Sequence, residues 1–172
     1  MVDYLVPTDR FGTLELSTTG DLISSYKFQA LPGQSFYQYA GYATFVGAGS
    51  QGTLPRYRFY TTAEWSRGPW GVFVANTYIP GVTDIGGGGA IFASSRTLKP
   101  EPVSRYSAWD LQLSYTAHDW SRVRSLRLSA GVNNVFNRMP PQSPQAFTDA
   151  NVDTGTYSPI GRLVYVTASI KF

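Results

Sequence analysis

Cysteine is absent and histidine occurs once, at His118, in a chain of 172 residues. Neither a disulfide scaffold nor a zinc site with several imidazole or thiolate ligands can be assembled from it. Charge is scarce as well: Asp, Glu, Lys and Arg make up 15%, against roughly a quarter in an ordinary globular domain. No stretch approaches the roughly 20 consecutive apolar residues of a membrane-spanning helix, which excludes helical membrane proteins but not those that cross with strands. The opening MVDYLVPTDRFG has neither a basic start nor an apolar core, so it contains no recognisable secretory signal.

What the chain does have is aromatic residues, at 15%, together with a mean hydropathy of −0.17. Hydrophobic residues must therefore be interleaved with polar ones. The net charge is +3, and arginine outnumbers lysine about four to one, which favours planar recognition of phosphate or carboxylate. These cations are scattered rather than gathered into a dense stripe, so no nucleic-acid partner is expected.

The interleaving has a period of two. From Gly12 to Phe28, Leu14, Leu16, Leu22, Tyr26 and Phe28 fall on one face and Glu15, Ser17, Asp21 and Lys27 on the other, which predicts one long strand. RYRFYTTAEWS sets Tyr57, Phe59, Ala63 and Trp65 against Arg56, Arg58, Thr62 and Glu64. AWDLQLSYT, LRLSAGVNNVFN and GRLVYVTASIKF alternate in the same way, and VDYLV reads as the end of a further strand. In WGVFVANTYI both faces are apolar, and the face with Trp70, Val72, Val74 and Tyr78 is read as the outer one. Several of these runs exceed the 5 or so residues common in globular proteins and suit the about 9 to 11 of a tilted membrane strand.

Connections alternate too. The short turns SRGP and AHDWSRVR contrast with linkers over 30–54, 81–104 and 138–158, long for a compact domain. Short turns at one end and long loops at the other is the plan of a transmembrane barrel. Aromatics fall where such a barrel carries interfacial girdles: Tyr26, Phe28, Tyr57 and Tyr78 toward the loops, Trp65, Trp70, Trp120 and Phe172 toward the turns. The expected class is all-β, with six long antiparallel transmembrane strands plus a truncated seventh at the N-terminus.

Three segments, YSAWDLQLSYT, LRLSAGVNNVFNRMPP and YSPIGRLVYVTASIKF, resemble the C-terminal end of TonB-dependent outer-membrane receptors. The residues that carry the resemblance are Gly131, Asn133, Asn134, Phe136, Pro140 and Pro141, then Tyr157, Pro159, Gly161 and Arg162, and the terminal Phe172. Val135 and Asn137 stand where the family usually has leucine and aspartate. Upstream, LPRYRFYTTAEWSRGPWGVFV looks like the preceding hairpin of that family. The resemblance implies that residues 1–172 are the C-terminal portion of a 22-stranded barrel whose plug domain is absent. It implies location in the Gram-negative outer membrane with the C-terminus periplasmic, contact with lipid and lipopolysaccharide, and partnership with the remaining strands and plug. TonB would be engaged only through that plug. No cofactor and no enzymatic activity are implied; the cargo would be an iron-siderophore, cobalamin or an oligosaccharide.

Other motifs are weak. GAGSQG at 47–52 spells a dinucleotide fingerprint, but Pro55 and another strand follow it instead of a helix. The glycines at 86–89 lack the Gly-Lys-Ser/Thr ending of a phosphate loop. His118 falls in the expected turn, without a nucleophile beside it. For ligand contact the candidates are the loop aromatics Phe36, Tyr37, Tyr39 and Tyr42 and the lumen-facing Arg56 and Arg58, while Arg96, Lys99 and Arg105 are candidates for lipopolysaccharide phosphates. The alternatives are an independent small barrel acting as porin or adhesin, and a soluble carbohydrate-binding sandwich.

Overall fold

The computed structural model describes residues 1–8, 10–29, 32–33, 35–45, 52–87, 99–120 and 123–171. Among them there are strands and turns but no α-helix. Seven strands form one antiparallel meander in chain order: β1 (Val2–Thr8), β2 (Gly12–Leu22), β7 (Tyr57–Arg67), β8 (Trp70–Ile79), β11 (Tyr106–Trp120), β12 (Val123–Asn133) and β13 (Leu163–Lys171). The sheet is open, with β1 and β13 as its edges. At its loop end sits a second, four-stranded sheet of β5 (Tyr42–Phe45), β6 (Gly52–Leu54), β9 (Val82–Gly87) and β10 (Glu101–Val103), beside a small pair of β3 (Lys27–Phe28) and β4 (Tyr37–Gln38).

Pairing register turns the period of two into faces. One row runs across all seven strands as Val6, Leu14, Trp65, Val72, Leu113, Ala130 and Val166. The next apolar row is Tyr4, Leu16, Ala63, Val74, Leu111, Val132 and Val164. Val72 and Val74 thus share a face with Trp65 and Leu113. On the opposite face, the row Pro7, Thr13, Ser66, Gly71, Ser114, Ser129 and Thr167 carries hydroxyls and small residues.

Among the described residues nothing covers the apolar face. Leu111 and Leu113, in the interior strand β11, are 44% and 47% exposed, whereas a sandwich would bury such residues under a second sheet. Buried apolar side chains gather instead at the loop end. Ala43, Val82, Val103 and Ala146 form one cluster and Ile79, Tyr106 and Tyr157 another, between the small sheet and the tip of the large one.

Sequence periodicity misjudges some ends. The strand expected through Phe28 stops at Leu22, which pairs with Tyr57, the first residue of β7; beyond it no strand remains to extend the ladder. The chain turns away, and Lys27–Phe28 pairs with Tyr37–Gln38. β12 ends at Asn133 rather than Asn137, because Asn134 takes the left-handed conformation with φ 52°. His118 lies not in a turn but in β11, opposite Ser125, since that hairpin keeps pairing as far as Trp120 and Val123. VDYLV does form a strand, β1, paired with β2 along seven residues.

Candidate functional site

The described residues of the three long connections build a cap over the polar face at the loop end, and two carboxylates organise it. Asp84, at the centre of β9, is fully buried. Its Oδ1 accepts from Gly86 N–H (2.8 Å), while Oδ2 accepts from Ser143 Oγ (2.9 Å) and from the amides of Gln145 (3.0 Å) and Ala146 (3.3 Å). Asp153 accepts from Thr53 N–H at 2.7 Å and from the amides of Gly155 and Thr156 at 2.9 and 3.2 Å. Burial by itself raises the Asp153 pKa, but hydrogen bonds from Thr156, Thr53 and Gly155 outweigh it and hold the carboxyl below its ordinary value.

Two asparagines tie the base of the 138–158 connection to the sheet. Asn134, buried at the exit of β12, donates its backbone N–H to Asp110 Oδ1 (2.7 Å). Its side chain accepts from Arg138 N–H (2.7 Å) and donates to Arg138 O (2.9 Å) and Ile160 O (3.5 Å). Asn137, also left-handed at φ 52°, accepts from Arg162 N–H at 2.9 Å. Gly161 permits this approach, since a Cβ there would meet Asn137 Oδ1 at 2.7 Å. The exit of β12 and the entry to β13 are thereby held together.

The other residues named from the sequence fall at varied places in this framework. Gly131 lies under the Tyr165 ring, Asn133 ends β12, and Tyr157 is buried against Tyr106 with ring centroids 5.4 Å apart. Burial, reinforced by the Asp153 charge, pushes the Tyr157 phenol up to about 12. Pro141 is buried and Pro140 half-buried, whereas Phe136, Pro159 and Arg162 are exposed. Phe172 lies outside the described residues.

The ligand-contact candidates separate. Phe36 is exposed and Tyr42 half-buried in β5; Tyr37 belongs to β4, but its side chain lies outside what is described. Tyr39 is only 2% exposed and packs edge-on against Tyr26 and Phe28, so its ring serves the loop and is not presented to solvent. Arg58 pairs with its cross-strand neighbour Asp21 at 2.7 Å, and Arg56 donates to Ser24 O at 3.4 Å. Lys99 and Arg105 are exposed; Arg96 and the glycines at 88 and 89 lie outside the described residues, as does most of the 47–52 motif.

Two cavities lie under the cap. One of about 360 Å³ is bordered by Thr77, Tyr106, Asp110, Asn133, Thr156 and Ser158. Another of about 310 Å³ is bordered by Asp21, Thr53, Pro55, Arg58, Gly155 and Thr156. Carboxylate, hydroxyl and amide groups, with the Arg58 guanidinium in the second cavity, give these linings a polar character suited to retention of a polar ligand. Sequence reasoning missed Asp84 and Asp153. Both carry a local signature, Asp-x-Gly, in which the carboxylate accepts from the glycine amide two residues on. Comparison with family models, with curated proteins and with solved structures finds no match to this chain.

Proposed function

We propose that the chain is the C-terminal part of the barrel of a TonB-dependent outer-membrane receptor, a non-enzymatic transport protein for a scarce nutrient. The observation that carries this reading is the pair of unbroken apolar rows across seven strands, left half-exposed even in the interior strand β11. Water penalises such a face, whereas the hydrocarbon core of a bilayer accommodates it and leaves the polar face to line a wet lumen. Short hairpins at one end and the capped connections at the other supply the corresponding periplasmic and external sides, and the motif from Gly131 to Arg162 supplies the family resemblance.

The free edges bear on the alternative of an independent small barrel. Lipid cannot satisfy the unpaired N–H and C=O groups of β1 and β13, so further strands must cover them. As first and seventh strands of an antiparallel meander, β1 and β13 run in the same direction. Closure of these seven on themselves would pair them parallel, unlike the even-stranded antiparallel barrels of bacterial outer membranes. The remaining strands and the plug of a receptor are the partners this reading requires; lipid and lipopolysaccharide surround it.

The test is the mass and location of the native product, with isolated outer membranes blotted using an antibody against residues 138–158. A membrane band several times larger than 18.9 kDa is expected. A heat-modifiable band at 18.9 kDa would replace this reading with the small barrel, and recovery from the soluble fraction would end the membrane reading altogether.

A further inference from the structure

Through their described residues the three long connections touch pairwise and close a ring of contacts. The first meets the second where β5 runs parallel to β9, with Thr83 N–H donating to Gly41 O at 3.0 Å and Thr44 Oγ1 to Gly86 O at 2.8 Å. The second meets the third through Asp84 and its donors at 143–146, supported by Gln145 Nε2 donating to Lys99 O at 3.0 Å. The third returns to the first at Asp153, which accepts from Thr53 N–H, while Thr156 Oγ1 donates to Thr53 O at 3.2 Å.

Between the two anchors the chain is internally bonded. Ser143 N–H donates to Asn151 O at 2.8 Å, Phe147 N–H to Ser143 O at 3.0 Å and Asn151 N–H to Phe147 O at 2.6 Å. Engagement at one anchor therefore presents the other already in position, which raises its effective concentration and spares it the entropy of ordering. Thr156, fixed by the second anchor, borders both cavities.

We propose that residues 138–158 form a two-point clasp that gives the cap one closed state: both carboxylate anchors hold together, and release of either loosens the other. Opening then lifts the Asp153–Thr156 segment from Thr53 and joins the two cavities into one chamber. This coupling does not depend on what meets the apolar face of the sheet, so its failure and that of the receptor reading are separate outcomes.

Amide hydrogen exchange on the native full-length protein tests the coupling. Asp153→Ala is expected to speed exchange at Gln145 and Ala146, and Asp84→Ala at Thr53, each by about tenfold or more although neither substitution touches the site read. In the double variant the acceleration should fall short of the product of the two single effects, because the shared coupling is lost only once. Changes confined to the substituted anchor, with the double variant equal to that product, would overturn the clasp. Amides of β8 and β11 report whether the sheet survives. Should either alanine disturb them, Ser143→Ala and Thr156→Val remove single hydrogen bonds at each anchor and are read in the same way.

Discussion

The Tyr165 ring lies across Gly131, and its hydroxyl reaches over to donate to Gln112 Oε1 at 2.9 Å, so one side chain of the edge strand spans two neighbours. A Cβ on Gly131 would meet that ring at 2.4 Å, with no room for both. Gly131→Ala should therefore cost about 1–3 kcal/mol in a denaturation midpoint, through displacement of the ring and loss of its hydrogen bond. Combined with Tyr165→Ala, the same substitution should become nearly neutral. An equal cost in both backgrounds would mean that the ring is not the reason for glycine here.

Leu16 and Ser17 are adjacent in β2 and face opposite ways, Leu16 in the row of Val74 and Leu111, Ser17 between Asp3 and Thr62. With the apolar face in lipid, Leu16→Arg should lower stability in vesicles by about 2–4 kcal/mol. Ser17→Arg should change it by less than about 1 kcal/mol, because its guanidinium stays in water near Asp3. Equal effects from the two arginines would sink the assignment of the apolar face to the bilayer.

Periodicity carries the sheet because most of its seven strands have a distinct polar and apolar side, and pairing in register assigns the faces of β8, where both sides are apolar. It failed where a non-local event ends a strand. Nothing around Ser24 announces that β7 begins only at Tyr57, so that after a last backbone bond from Ile23 N–H to Arg56 O the chain has no ladder to follow. Likewise, His118 in AHDWS looks like a turn residue until its pairing with Ser125 is known. In the cap, the role of Asp84 was hidden because most of its donors lie about 60 residues away, at Ser143, Gln145 and Ala146. Aromatic content shows that a loop has rings but not which of them it encloses, and Tyr39 is one that it does.

Asn134 combines a left-handed backbone with side-chain bonds to Arg138 and Ile160 at a buried position. Asn134→Ala loses the bonds and strains the turn, and a cost of about 2–4 kcal/mol is expected. Asn134→Gly removes the strain alone and should recover about 1 kcal/mol of it. If alanine and glycine were equally costly in thermal unfolding, backbone conformation would play no part at this position.

Asp153 has its carboxyl pKa held down, so its contribution is fully present above the unfolded value of about 3.9 and is lost as pH falls below it toward the folded value. Proteolysis of residues 138–158 should therefore accelerate below about pH 4, measured with an acid-active protease. Asp153→Asn should remove that dependence while raising cleavage at neutral pH. An unchanged acid profile in the asparagine variant would assign the transition to another group.

Tyr157 sets the opposite limit. Its phenol is pushed up to about 12, so the folded loop favours the neutral form. Stability is then complete below the ordinary tyrosine value of about 10 and declines between there and the folded value, by roughly 2–3 kcal/mol in all. The Tyr157 hydroxyl is buried and has no hydrogen-bond partner among the described residues. Tyr157→Phe should consequently be neutral or slightly stabilising at pH 7, because it removes an unsatisfied polar atom and keeps the ring packed on Tyr106. The same variant should abolish the alkaline loosening of the cap, followed by hydrogen exchange at Thr53 and Ala146 on either side of pH 10. A phenylalanine variant destabilised by more than about 1 kcal/mol at pH 7 would show that the hydroxyl is satisfied in solution, and the alkaline transition would then need another origin.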